Sequence, residues 1–359
     1  MQYRQLGRSG LRISALNFGS VTFGGTGNFA KTGNVDVTEA RRMIDICIDH
    51  DVNMFDTADA YSGGLAEEIT GAALKDRSQE VLVTSKARFR TDDGPNGEGL
   101  SRYHLIAACE ASLKRLGRDH IDLYYLHEWD GLTPLEESLA ALETLRQQGK
   151  IRYAGISNFS GWQAMKALSV AERDRLIAPV SQQIYYTLEA RDAEYELLPL
   201  AVDQGLGVQV WSPLACGLLS GKYRRGVTPP EDSRRIEGWD EPHVRNIEKL
   251  YDTVEVLVEI AEAHDCSPAR VALAWTMNRP GVTSLVLGAR KETQLLDNLA
   301  AATLHLKQEE VQRLEDVSAL EMIYPHWHQK STAAARFSAA DRVLYDPALR
   351  YDKALAKRK

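Results

Sequence analysis

The chain has 359 residues, 44% hydrophobic and 26% charged, too apolar for a disordered chain and long enough to bury a substantial core. A formal net charge of −7 and a pI near 5.8 leave no basic excess for a nucleic-acid backbone or an anionic membrane surface, so small molecules are the expected partners. The start, MQYRQLGRSGLRIS, has no apolar leader segment and no apolar run reaches the ~20 residues of a spanning helix, which places the protein in the cytoplasm as an expectation.

Tyr3 to Leu6 and Leu11 to Ser14 flank Gly7-Arg8-Ser9-Gly10 and read as a short hairpin suited to plugging one end of the main fold. After it, short apolar runs alternate with amphipathic stretches, the pattern of parallel strands with helices packed outside them. Strands are expected at Leu16 to Phe18, Asn53 to Asp56, Val81 to Lys86, Ile121 to His127, Ile151 to Asn158, Val180 to Gln183, Gly207 to Pro213 and Ser284 to Gly288. Asp36 with Glu39, Thr133-Pro134 with Glu136, and Ser160 with Gln163 fit capping boxes, and Gly117 and Gly149 sit where helices should end. Ala40, Met43, Ile44, Cys47 and Ile48 follow the spacing of a buried helical stripe, repeated by Leu105, Ala108, Cys109, Ser112, Leu113 and Leu116. Cys47 and Cys109 therefore read as packing residues, and the four cysteines, which include Cys216 and Cys266, lack the CxxC spacing of a zinc site or the density of a disulfide framework.

Strand ends at 56, 86, 127, 158, 183 and 213 recur at the length of one βαβ unit. The step to 288 is more than twice as long and implies an inserted loop, assigned to Ala215 through His243, with an extra helix. The fold class is α/β, a closed (β/α)8 TIM barrel with an N-terminal hairpin and a long loop after the seventh strand. The runner-up, a doubly wound open sheet, would ordinarily carry GxGxxG after its first strand, a spacing absent here. Residues 1–330 are expected to form one barrel domain and 331–359 a C-terminal tail, with Tyr324 to His328 aromatic and extended and Lys353 to Lys359 frayed.

In such a barrel the C-terminal strand ends share one mouth, so polar residues that end apolar strands are the first catalytic candidates. Asp56, Lys86 and His127 hold such ends, and Tyr61 lies five residues beyond Asp56 in a loop short enough to reach the same mouth. Singly, each has an ordinary account: a capping Asp, a packing Tyr, a satisfied core His. Lys86 is the least ordinary, since an ammonium at a packed barrel end needs a partner, and Asp56 on the neighbouring strand can supply it. A cation about 4 Å from a phenol is worth on the order of 4 kcal/mol at an effective dielectric of ~20, enough to draw Tyr61 down from its usual pKa near ~10 towards proton exchange with a carbonyl oxygen. His127 would orient that oxygen. HExxH and GxSxG are both absent, so neither a zinc protease nor a serine hydrolase has a foothold.

These residues resemble the aldo-keto reductase superfamily from about Tyr3 to Leu320, through Phe55-Asp56-Thr57-Ala58-Asp59-Ala60-Tyr61, Thr84-Ser85-Lys86, Leu126-His127, Gly155-Ile156-Ser157-Asn158 and Trp211-Ser212-Pro213-Leu214. The resemblance implies a catalytic tetrad of Asp56, Tyr61, Lys86 and His127. It also implies extended NADP(H) binding without a Rossmann motif: Ser20 and Asp56 beside the cofactor, Ser157, Asn158 and Gln182 on the carboxamide, and Trp211 stacked on the nicotinamide. Ser212, Pro213, Leu214, Gly217 and Lys222 would line the pyrophosphate, and Gly288, Arg290, Gln294, Asp297 and Asn298 the adenosine. Lys222, Arg234 and Arg290 suit a 2′-phosphate, hence NADP over NAD, with Arg235 as the neighbour that could replace Arg234.

Trp211 to Gly217 with Ser220-Gly221-Lys222-Tyr223 is similar to the branch holding potassium-channel β subunits and bacterial aldehyde or aryl-alcohol reductases. The chain departs from the channel subunits in a longer stretch from Lys222 to Arg234 and in Asn158, where they typically have Arg. The expected function is NADPH-dependent reduction of aldehydes or ketones, reversible on the alcohols. The alternatives are an NADPH-binding sensor or scaffolding subunit with little turnover, and a barrel aldolase using Lys86 as a Schiff-base nucleophile. No nucleic-acid or membrane partner is expected, and a homo-oligomer is compatible with the chain. Arg88 to Leu100, Trp129 and the aromatics around Trp327 are expected to line a roomy apolar pocket for bulky or cyclic carbonyl compounds.

Overall fold

A computed structural model of the chain describes residues 1–77, 81–231 and 241–346. Strands β1 (Tyr3–Gln5) and β2 (Arg12–Ser14) form the antiparallel hairpin. Eight parallel strands follow: β3 (Leu16–Gly19), β4 (Met54–Asp56), β5 (Leu82–Ala87), β6 (Ile121–Leu126), β7 (Ile151–Ser157), β8 (Pro179–Tyr185), β9 (Gly207–Trp211) and β10 (Val282–Leu287). They close in chain order, β10 pairing with β3, so the expected barrel is the barrel observed. Its ring of helices is α1 (Val37–Asp49), α2 (Leu65–Leu74), α3 (Arg102–Leu116), α4 (Leu135–Gln147), α5 (Gly161–Asp174), α6 (Leu197–Gln204), α7 (Ile247–Ala263), α8 (Pro268–Met277), α9 (Glu292–Leu299) and α10 (Gln308–Val317). Among the described residues, no helix is long and apolar enough to cross a membrane.

Local chemistry sets the helix ends. Asp36 accepts from the Glu39 N–H at 2.9 Å and Glu39 accepts in return from the Asp36 N–H, while Ala40, Met43, Ile44 and Cys47 turn inward. Ser160 donates its N–H to the Gln163 side chain at 2.8 Å, and Gly117 closes α3 with a left-handed φ of 63°. The box expected at Thr133 does not form. Pro134, which has no side-chain acceptor, occupies the cap position of α4, so Thr133 lies one residue outside it and its Oγ1 donates to Asp130 Oδ2 at 2.7 Å.

The hairpin plugs the barrel's N-terminal end. Leu6 and Ile13 are fully buried against Met54, Leu123 and Tyr125. Gly7 makes this approach possible: its φ is 57°, and a Cβ there would stand 2.5 Å from the carbonyl oxygens of Gly205 and Val180. Above the plug the barrel interior is polar. Asn17 donates to Gln209 at 2.9 Å, Gln209 to the Tyr125 hydroxyl at 2.6 Å, and that hydroxyl meets Ser181 at 2.8 Å.

The long connection after β9 carries a 3-10 turn (Ala215–Ser220) and then α7 and α8, so the extra helix is present. The region expected to be aromatic and extended near residue 326 is instead helical. It forms α11 (His326–Thr332) and then α12 (Arg342–Tyr345), which packs on α6 and buries Val343. His326 stacks on Tyr195 with ring centroids 5.2 Å apart, and Tyr345 donates its hydroxyl to the His326 carbonyl, tertiary anchors that outweigh a weak helical pattern. The expected fraying of Lys353 to Lys359 falls outside the described residues.

Candidate active site

The ends of β4, β5 and β6 bring Asp56, Lys86 and His127 to one end of a cavity of about 890 Å³ at the C-terminal mouth of the barrel. Tyr61, Asp56 and His127 line it, and Lys86 lies beneath, fully buried. Lys86 donates from Nζ to Asp56 Oδ2 at 2.5 Å and to the Thr57 carbonyl at 2.8 Å. Asp56 Oδ1 accepts from Thr84 Oγ1 at 2.5 Å and from Gln183 Nε2 at 3.0 Å. The Lys86 ammonium stands 5.1 Å from the Tyr61 ring centre, and the Tyr61 and His127 ring centres are 5.7 Å apart, edge to face. All four expected tetrad residues are therefore neighbours.

Tyr61 is fixed by the turn that follows it. Ser62 (φ 51°) and Gly63 (φ 67°) adopt left-handed backbone, and Ser62 Oγ donates to the Phe23 carbonyl at 2.8 Å while accepting from the Gly25 N–H at 3.0 Å. The Thr26 hydroxyl donates to the Ser62 carbonyl at 2.8 Å. These bonds tie the first βα loop to the Tyr61 loop and bring Phe29 edge-on to Tyr61, with centroids 5.2 Å apart.

The electrostatics correct one expectation. Burial raises the Tyr61 phenol above its usual pKa; Lys86 pulls it down, Asp56 and Asp59 push it up, and the net direction is upward. A lysine that already belongs to a carboxylate has less field to give the phenol. Burial works to lower the Lys86 pKa, but Asp56 and the phenol outweigh it and hold the ammonium above the usual lysine range. His127 is driven well below its ordinary value by burial, then by Lys86 and Arg88, and its Nδ1 is buried without a partner. It is a neutral imidazole.

From this end the cavity runs past Ser157, Asn158 and Trp211 to Ser212, Pro213, Leu214, Gly217 and Lys222 on one side, and to Gly288, Arg290, Gln294, Asp297 and Asn298 on the other. Trp211 Nε1 donates to Asn158 Oδ1 at 2.9 Å, and Asn158 Nδ2 donates to the His127 carbonyl at 3.1 Å, so one amide orients the indole against the tetrad. Ser212, Ala215, Cys216 and Gly217 have positive φ. Arg290 donates from Nε to the Thr32 carbonyl at 3.0 Å and from Nη2 to the Lys31 carbonyl at 2.6 Å, and its backbone N–H donates to Gln294 Oε1 at 3.1 Å. Asp297 is engaged by Ser267 and by Arg270 at 2.6 Å. The residues fit an extended dinucleotide: Ser157 Oγ is a buried hydroxyl with no partner at the cavity wall, and a Cβ on Gly288 would meet nothing within 4 Å.

Two expected cofactor residues are not among those lining the cavity. Gln182 does not line the cavity; its Nε2 donates to the Leu197 carbonyl at 2.7 Å, and Gln183 takes the inward position. Side chains alternate along a strand, so a one-residue misplacement in β8 exchanges the barrel's two faces. Ser20 is buried with its Oγ unpartnered, between Gly19 and Val21, which do line the cavity. Arg234 and Arg235 fall outside the described residues. Of the aromatics expected around the substrate, Phe89 lines the cavity, whereas Trp129 packs on Phe159 and Trp162, and Trp327 is half exposed beside Tyr324 and His328. Sequence reasoning missed Phe29, Glu128, Cys216 and Lys291, which line the cavity; Glu128 adjoins His127, and Lys291 adjoins Arg290.

Comparison with known proteins agrees with this geometry. The chain is 38% identical over 307 residues to a probable voltage-gated potassium channel subunit beta of Arabidopsis thaliana, covering 84% of this chain and 91% of that protein. It is 38% identical over 328 residues to the uncharacterized oxidoreductase YrpG of Bacillus subtilis, covering 88% and 96%. A putative channel subunit beta of Schizosaccharomyces pombe is likewise 38% identical, over 83% of this chain and 87% of its own. The model of the Aldo/keto reductase family matches residues 15–319, and with the closed barrel and these relatives it shows that the chain belongs to the aldo/keto reductase family.

Proposed function

We propose that the protein is an NADPH-dependent reductase of aldehydes or ketones, working reversibly on the matching alcohols, with Tyr61 as the general acid. The observation that carries this reading is the convergence of Tyr61, His127 and the Lys86–Asp56 pair on a cavity of about 890 Å³ that Lys222, Arg290 and Asn298 also line. When bound, NADPH supplies a hydride to the carbonyl carbon. Tyr61 gives its phenolic proton to the carbonyl oxygen, and the phenolate left behind faces the Lys86 ammonium, a stabilisation that matters more once the charge exists than before it. Neutral His127 donates one hydrogen bond to the same oxygen and fixes its direction. Trp211, pinned by Asn158, gives the nicotinamide a flat wall, and Ser157 with Gln183 would bind its carboxamide. Ser212 to Lys222 would hold the pyrophosphate, and Lys222 and Arg290 would select the 2′-phosphate.

The test is Tyr61→Phe. NADPH binding, followed by fluorescence, should persist while carbonyl reduction falls by roughly 10²-fold or more; turnover equal to the wild type would remove Tyr61 from the chemistry. A second reading, a nucleotide-binding subunit with little turnover, draws on the relatives named as channel subunits. It predicts tight NADPH binding and no product with any aromatic, aliphatic or cyclic carbonyl compound tested. The active site is expected to serve small molecules in the cytoplasm.

A further inference from the structure

Arg290, which would select the 2′-phosphate, is also bonded to the loop that carries Phe29. It is half-buried beyond the end of β10 and lines the cavity, and it donates from Nε to the Thr32 carbonyl at 3.0 Å and from Nη2 to the Lys31 carbonyl at 2.6 Å. A second tie lies beside it, where the Thr22 hydroxyl donates to the Ala289 carbonyl at 3.0 Å. Within the loop the Thr32 hydroxyl stands 2.7 Å from the Phe29 carbonyl and 2.8 Å from the Val21 carbonyl, and the Thr32 N–H donates to that Phe29 carbonyl at 3.0 Å. Phe29 in turn lines the same cavity and stands edge-on to Tyr61, with centroids 5.2 Å apart.

The loop's other anchorage, the bonds of Ser62 with Gly25 and Thr26, belongs to the Tyr61 turn, so one short segment bridges Arg290 and the phenol. It has little slack. Gly25 has a φ of 63°, and a Cβ there would overlap the Gly33 carbonyl oxygen. A guanidinium presents two forked edges, and the Nε–Nη2 edge of Arg290 is the one that holds the loop. A phosphate received on the Nη1 side leaves those bonds in place and removes the freedom of the side chain that makes them. The order passes through Thr32 to Phe29, and by reciprocity a substrate packed on Phe29 tightens the cofactor. Resting on the NADPH reading, we propose that Arg290 and Thr32 are positioning residues through which the cofactor's 2′-phosphate fixes Phe29 against Tyr61, so that the adenosine end of the cavity sets the substrate end.

The experiment follows amide hydrogen exchange over residues 25–30 in the full chain saturated with NADP+ or with NAD+, and the KM of benzaldehyde at saturating NADPH or NADH. NADP+ should slow exchange at these amides about tenfold beyond NAD+, and KM should be about fivefold lower with NADPH at similar kcat. Arg290→Lys keeps a cation for the phosphate but has no forked edge for the two carbonyls. It should still bind NADP+ more tightly than NAD+ and lose both differences. Thr32→Val keeps the shape, removes the hydroxyl and should shrink them. Equal exchange or equal KM with the two cofactors in the wild type, or differences that survive in Arg290→Lys, overturn the proposal and leave the reductase reading standing. If benzaldehyde and other carbonyl compounds are not reduced, the reductase reading fails separately and the exchange comparison alone decides the coupling. A chain that binds NAD+ and not NADP+ overturns both.

Discussion

Lys86 and Asp56 form an ion pair of 2.5 Å in which both side chains are sealed from solvent at the end of the barrel interior. Such a pair contributes little net stability as a unit, yet removing one partner strands the other in a medium that cannot solvate it. Asp56→Asn should therefore destabilise the protein by about 3–5 kcal/mol, read from denaturant unfolding. Lys86→Met should cost less, since Asp56 keeps Thr84 and Gln183 as donors. The double variant should lose less than the two single losses together, and simple additivity would show that the two charges do not depend on each other.

His127 and Tyr61 give opposite signs in pH experiments. The folded pKa of His127 lies well below its unfolded value of 6.5, so the stability it contributes is full above 6.5 and is lost as pH falls towards the folded pKa. His127→Asn should flatten that acid limb in thermal melts. For catalysis, the raised Tyr61 pKa predicts reduction rates that stay level through neutral pH and decline only above pH 10, as the phenol ionises and can no longer give its proton. A break near pH 6.5 would instead identify a titrating His127.

Asp59 stands two residues before Tyr61 and is buried, and among the described residues its carboxylate accepts no side-chain hydrogen bond. Burial, and then the charge of Glu67, hold its pKa well above the ordinary 3.8, against the pull of Arg115, the Ala60 backbone N–H and Lys86. With the folded pKa raised, its contribution is complete below pH 3.8 and is lost as pH climbs through the folded value. Asp59→Asn keeps the shape and removes the ionisation. It should raise Tm by about 2 °C or more at pH 8 and leave it unchanged near pH 4. A lower Tm at pH 8 would show that the folded protein uses the ionised carboxylate.

The barrel was legible because its strands are short, buried on both faces and regularly spaced, and the tetrad because polar residues end apolar runs. Position within β8 was not. Gln182 and Gln183 are chemically identical, and only the register, in which Gln182 pairs with Val208 and Gln183 with Gln209, decides which enters the barrel. Phe29 was hidden for another reason: it lies on a loop held in place by Ser62, a contact 33 residues away that no periodicity signals. The downward shift expected for Tyr61 failed because distance to Lys86 is readable from topology whereas the depth of burial is not.

On the NADPH reading, Arg290 is the residue whose loss should separate the two nicotinamide cofactors. Its guanidinium is held by the Thr32 and Lys31 carbonyls, so it reaches the cavity already ordered and gives up little side-chain freedom when an anion arrives. Arg290→Met should raise the Kd of NADPH by roughly 10- to 100-fold, the loss of charge-assisted hydrogen bonds to a phosphate. The Kd of NADH, which lacks that phosphate, should change by less than about threefold, and added salt should narrow the difference between the cofactors in the wild type. The same side chain also ties the first βα loop to the end of β10, so the comparison of cofactors is what separates its roles. Parallel weakening of both would make Arg290 a support for the loop, while a loss confined to NADPH would make it the reader of the 2′-phosphate.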